Sequence, residues 1–238
     1  MKKVHWIGFL PFYLLTVILF IGIAMWGSRT TTTIAQNRPV ERENTIVIDA
    51  GHGGIDGGAT SCSGVLESKL NLDIALKLEA VMQLLGFDTV MIRTTDTSIY
   101  TEGNTIASQK VSDLKERVRI VNETPKAILI SIHQNTFPDG RYSGAQVFYG
   151  GADNSRELAQ AMQTNFNQSL CHGSNRKIKK ANGVYLMQNI SATGVLLECG
   201  FITNPEEEAK LRSDEYQKQL CCVIASTVSR FIHCQNQG

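Results

Sequence analysis

No C-x-x-C pair occurs in this sequence: its six cysteines stand at positions 62, 171, 199, 221, 222 and 234. That spacing disfavours a structural zinc finger or a thioredoxin-like redox site. Export would permit disulfides, yet Cys221 and Cys222 are adjacent within a helical pattern, and spacing alone assigns no pairing. A basic excess is missing as well. Lys2, Lys3, Arg29 and Arg38 precede position 40 and all 22 acidic residues follow it, so the remainder holds 19 of the 23 basic residues and is slightly acidic. A nucleic-acid binder would show a basic patch and a high pI, so nucleic acid is excluded as a partner. Internal repeats and low-complexity tracts are also lacking, which leaves room for one domain with a sizeable core.

Charge is absent altogether from Trp6 to Trp26, a run of 21 residues preceded by Lys2 and Lys3. About 20 apolar residues cross a bilayer core as a helix, whereas a signal-peptide core spans roughly 7–15. The run reads as an uncleaved signal anchor that keeps the N-terminal tip in the cytoplasm and exports the rest. Cleavage after Ala35, at the small-x-small site Thr33-Ile34-Ala35, is the alternative. Residues 1–28 are thus assigned to tip and anchor, the polar, threonine-rich 29–44 to a linker, and 45–238 to one domain.

Within that domain, Thr45–Asp49 is a β-branched run that enters a glycine-rich loop, Gly51–Gly58. Leu70, Ile74, Leu78, Val81 and Leu85 recur at helical spacing, with Gly86 as a stop. Phe87–Arg93 predicts a strand, Thr94–Lys110 an irregular loop, and Val111, Leu114, Val118 and Val121 an amphipathic helix ending before Pro125. Ala127–His133 is the continuous apolar run of a buried strand. Strands are expected at Gly144–Tyr149, Gly183–Met187 and Gly194–Cys199, and helices over Ser155–Leu170 and from Pro205 to about Ile232. This alternation predicts an α/β fold, a mostly parallel twisted sheet with helices on both faces.

Catalysts in such sheets cluster at the carboxyl ends of strands. Three predicted strand ends carry metal-ligand side chains: His52 between glycines, His133 after an apolar run, and Glu198 before Cys199. Glu67 opens the first helix. Two imidazoles and a carboxylate form a recurrent zinc set with the fourth position left to water. Each residue also has a plainer role: His52 as a loop histidine, His133 as a satisfied core histidine, Glu67 as a partner of the helix dipole. Glu198 resists one, because an unpaired buried carboxylate is costly. Asn135, Arg117 and Asp49 are candidates for contacts behind the ligands or with substrate. For Arg117 the simpler alternative is a solvated helix face. Asp49 either orients a ligand histidine or caps the strand. Tyr185 and Met187 serve either a groove or the core, and His5, His172 and His233 have no ligand spacing.

Four segments in order, Ile48-Asp-Ala-Gly-His-Gly-Gly-Ile-Asp-Gly-Gly-Ala59, Glu67, Ser131-Ile-His-Gln-Asn135 and Leu197-Glu-Cys-Gly-Phe-Ile-Thr-Asn204, resemble the zinc-dependent amidase-3 family of N-acetylmuramoyl-L-alanine amidases. The resemblance implies one zinc ion on His52, Glu67 and His133, with Glu198 as catalytic base. It implies cleavage of the amide between the lactyl group of N-acetylmuramic acid and L-alanine, with the glycan strand and stem peptide of peptidoglycan as substrate. Tyr142–Tyr149, Asn182–Asn189 and the N-terminal anchor resemble the germination-specific branch of that family. This implies action on spore cortex from the forespore intermembrane space, a functional partnership with a muramic acid deacetylase in making muramic δ-lactam, and an activating lipoprotein as a further partner. Ala50 stands where many members have proline, and Cys199 where valine is frequent; neither is a proposed ligand, although a thiol beside the base raises the question of oxidation. The competing expectations are a vegetative autolysin or division amidase of the same family, a zinc carboxypeptidase, and a non-enzymatic wall-binding protein with a degenerate site.

Overall fold

The computed structural model describes residues 44–237. The signal anchor at 1–28 and all but the last residue of the linker at 29–44 lie outside the described residues. The β-branched run forms β1 (Thr45–Ala50), buried almost throughout. After the glycine-rich loop comes α1 (Glu67–Leu84), and Gly86, at φ 79°, ends that helical region as its spacing predicts. Strand β2 (Asp88–Met91) follows, then α2 (Ile106–Glu123) and the long central β3 (Ala127–Asn135). The order continues with β4 (Gln146–Tyr149), α3 (Ser155–Ser169), β5 (Lys179–Lys180), α4 (Tyr185–Asn189), β6 (Thr193–Phe201), α5 (Pro205–Leu211) and α6 (Asp214–Gln235).

The six strands form one sheet in the order β2-β1-β3-β6-β4-β5. Every pairing is parallel except β4 against β6, so the sheet is mixed. Side chains alternate between its faces. Ile48, Ile130, Ile132, Val195 and Leu197 point into the larger core, with Leu78, Met162, Phe166 and Ile224. Val47, Leu129 and Leu196 point into the smaller core, with Val121, Leu186 and Met187.

Three expectations need correction. Helix α2 begins at Ile106, inside the expected loop, where Thr105 and Ser108 form a reciprocal capping box that satisfies amides otherwise left open. The expected strand Gly183–Met187 is instead a turn and the five-residue helix α4; a short apolar run does not distinguish strand from buried helix by periodicity. The single helix expected from Pro205 is two, because the Ser213 hydroxyl accepts from Tyr216 N and starts α6 afresh.

Candidate metal centre

The carboxyl ends of β1, β3 and β6 converge with the first turn of α1. His52 leaves β1 in a left-handed conformation, φ 62°, which costs a non-glycine residue roughly 1–3 kcal/mol unless its surroundings fix it. They do so through two buried guanidiniums. Arg93 donates from Nε to the Ala50 carbonyl at 2.7 Å and from Nη2 to those of Gly51 and Ser68 at 3.0 and 2.8 Å. Arg117 donates to the carbonyls of Ala50 at 3.1 Å and His52 at 2.7 Å. Gly51 has to lack a side chain, since a Cβ there would overlap the His133 imidazole.

Glu67 lies between the two imidazoles. Its Oε2 is 3.3 Å from His52 Nε2 and its Oε1 is 3.2 Å from His133 Nδ1. Backbone N–H groups of Ala59 and Gln134 and the Asn71 amide also donate to this carboxylate, at 3.0, 3.0 and 3.2 Å. Burial would raise the Glu67 pKa, but the imidazoles outweigh it and hold the carboxyl far below its usual range. Burial likewise lowers His52, yet Glu67 and Asp56 overcome this and lift it to about 9. One donor atom from each of His52, Glu67 and His133 lies within 4.8 Å of the others. Zinc bonds of about 2.0–2.2 Å place neighbouring donors about 3.3–3.6 Å apart in a tetrahedron; each imidazole nitrogen stands at about that distance from its own oxygen of Glu67. The donor set therefore fits a divalent cation of the zinc type.

Glu198 pairs in register with His133, so the two side chains face the same side of the sheet. Its Oε2 is buried without a hydrogen-bond partner, and burial raises its pKa to about 7. Asn135 follows His133 at the alternate position of β3 and shares that face. Beside His52 and His133 lies a cavity of about 220 Å³, walled further by Asp113, Leu114, Arg117 and Leu186.

Arg117 does not lie on a solvated face. It is 2 % exposed, with Nε 2.6 Å from Asp113 and Nη1 on Asp49. Asp49 also accepts from Ser131 at 2.7 Å. Burial would raise the Asp49 pKa, but Arg117 outweighs it and keeps the carboxyl ionised. The carboxylate set against a candidate ligand imidazole is Asp56, 2.8 Å from His52 Nδ1 and 2.8 Å from Lys110 Nζ. Its position four residues after His52 in the glycine loop was the available signal. Arg93 carried none, standing alone at the end of an ordinary strand. Met187 is 1 % exposed and belongs to the core, while Tyr185 is partly exposed. His172 lines a separate groove and His233 meets Gln237 at the surface; His5 lies outside the described residues. All six cysteines are unpaired.

Comparison with known proteins agrees with this geometry. Over residues 46–230 the chain matches the family described as N-acetylmuramoyl-L-alanine amidase. The germination-specific N-acetylmuramoyl-L-alanine amidase of Bacillus subtilis is 33% identical, over 97% of this chain and 95% of its own length. The CwlD amidase of Clostridioides difficile, solved in complex with the GerS lipoprotein, superposes with a TM-score of 0.76 at 33% identity, over 80% of this chain and 98% of that one. Another solved structure, of an N-acetylmuramoyl-L-alanine amidase from Clostridium difficile 630, gives a TM-score of 0.70 at 32% identity, over 80% of this chain and 97% of that one. With the match running from β1 into α6, the chain belongs to the N-acetylmuramoyl-L-alanine amidases and is a peptidoglycan amidase of the kind that CwlD represents.

Proposed function

We propose that this amidase is zinc-dependent and removes stem peptides from muramic acid in spore cortex. The observation that carries the reading is the convergence of His52, Glu67 and His133 beside the unpartnered carboxylate of Glu198. When bound, zinc supplies Lewis acidity and a water whose pKa falls to about 7.

The remaining chemistry belongs to the chain. Asp56 takes the proton of His52 Nδ1 in a hydrogen bond, which leaves Nε2 free as a ligand atom. Glu198, raised to about 7 by its burial, accepts the water proton and returns it to the alanine nitrogen as the lactyl–alanine bond breaks. Hydroxide ends on the lactyl carbon and the proton on the amine, so a carboxylic acid and a free N-terminal alanine result. The Asn135 amide has no side-chain partner among the described residues and faces the same side as His133, where it suits a substrate carbonyl.

The cortex assignment draws on the likeness to the germination-specific relative of B. subtilis. In that setting the apolar stretch Trp6–Trp26 tethers the domain to a membrane outside the cytoplasm, and a muramic acid deacetylase completes the δ-lactam. A lipoprotein partner is proposed on the likeness to the CwlD–GerS complex. Purified enzyme incubated with peptidoglycan should release peptides with new N-terminal alanine, and release of carboxyl-terminal residues instead would indicate a carboxypeptidase. Cortex from a deletion strain should lack muramic δ-lactam; an unchanged content would end the germination role while sparing the amidase.

A further inference from the structure

Beyond Glu198, β6 departs from a regular strand. Residues three apart normally face opposite sides of a sheet. Between the pairs His133–Glu198 and Asn135–Phe201, however, β6 carries one residue more than β3, and such a bulge re-aims the side chains after it. Phe201 therefore emerges on the side of Glu198. The Arg176 guanidinium carbon lies 4.8 Å from its ring centroid. Tyr142 packs beside it at 6.2 Å, and Phe137 against Tyr142 at 4.3 Å. Phe137 and Tyr142 stay 43% and 46% exposed, so this aromatic shelf is open to solvent at the end of the strands that carry His133 and Glu198.

Arg176 is held in place without being neutralised. Its Nε donates to the Ser143 carbonyl at 2.8 Å and its Nη1 to Gln146 Oε1 at 3.4 Å, and Gln146 is the cross-strand partner of Glu198. Among the described residues its partners are a carbonyl, an amide oxygen and a ring, none of them a carboxylate. It lines a polar groove of about 830 Å³ together with Arg141 and Lys210. Of the groove's two carboxylates, Glu207 is committed to the N–H groups of Gly144 and Phe201, at 2.8 and 2.9 Å. A guanidinium stacked on a ring, oriented by two acceptors and lacking an acid is prepared for a planar anion.

The geometry points to Arg176 as the residue that binds a carboxylate of the stem peptide, seated in this groove with the scissile end at Glu198. The assignment rests on the amidase reading, because that substrate carries an acidic peptide beyond its L-alanine. It requires no turnover to be tested. Binding of a synthetic stem-type peptide that begins with L-alanine is measured by calorimetry on the full chain, once with free carboxylates and once with carboxamides. A muramic acid disaccharide without peptide is the third probe. The native chain should prefer the acid by about tenfold, the value of one charge-assisted hydrogen bond. Arg176→Gln should erase that preference and leave amide binding unchanged, and Arg176→Lys should restore part of it. Equal binding of acid and amide by the native chain would overturn the assignment. So would a variant that keeps the preference or one that loses the disaccharide instead. A chain that shows the preference but fails to hydrolyse peptidoglycan would count against the amidase function and not against this site.

Discussion

The carboxylate of Asp56 lies 2.8 Å from His52 Nδ1 and is itself held by Lys110. Carboxylates behind a ligand imidazole typically contribute 10–100-fold to metal affinity. Asp56→Ala should therefore weaken zinc binding by about 10–100-fold in chelator competition, with the melting temperature of the metal-free protein little changed. Lys110→Ala, one contact further out, should cost less than Asp56→Ala.

Glu198 and the ligands should separate in mutagenesis. Glu198→Gln keeps zinc, measured by metal analysis of purified protein, but lowers kcat by about 10²–10⁴-fold, the range for loss of a general acid–base. His52→Ala and His133→Ala should lose the metal itself. A Glu198→Gln enzyme that turns over normally with zinc bound would refute its role as base.

Arg117, itself only 2 % exposed, joins two carboxylates and two carbonyls. Removing one partner of a buried pair typically costs about 3–5 kcal/mol, because the other charge is left alone. Arg117→Leu should lower the denaturant-unfolding free energy by about that much. Arg117→Lys should recover little, since an ammonium lacks the planar fork.

In the metal-free protein the His52 pKa is raised from 6.5 to about 9. Its contribution to stability is complete below pH 6.5 and lost as pH rises through about 9. The Glu67 pKa is lowered from 4.5, so its contribution is present above pH 4.5 and lost on acidification. Metal-free protein should thus melt highest between about pH 4.5 and 6.5. Zinc must displace the His52 proton, so zinc affinity should climb up to about pH 9. A pH-independent affinity would contradict the contact between His52 and Glu67.

Thiol chemistry should ignore the cysteine beside the base. Cys199 is fully buried, and burial pushes its thiol well above the ordinary value. Cys62, Cys222 and Cys234 are exposed. A maleimide should label these three in the native protein and reach Cys199 only after unfolding, with activity unaffected by the first reaction.

Much of the candidate site was legible because its residue types interrupt patterns: His52 between glycines, His133 closing an apolar strand, Glu198 inside another. What holds those side chains in place was not legible. In α2 the apolar repeat pointed to Val111 and Leu114, yet these are 52% and 37% exposed, while Ser112, Asp113 and Arg117 are buried. Hydrophobic periodicity reads a helix face correctly only when the core is apolar, and here the helix turns a polar network toward Asp49. Arg93 escaped for a related reason, because its partners are backbone carbonyls, which carry no sequence signature. Flanking glycines at His52 suggested a sharp turn, and the structure adds a second cause at Gly51, the nearness of the His133 ring.

The outer rim of the sheet also has a consequence for life at high local density. Strand β5 is only Lys179–Lys180, both exposed, with Lys179 laid over the Phe148 ring. A neighbouring copy seeking to extend the ladder there would meet two ammonium groups and only two residues to zip against, a combination that discourages strand-to-strand aggregation. Many copies of this domain could crowd the same surface, and on that side each would stay a separate particle.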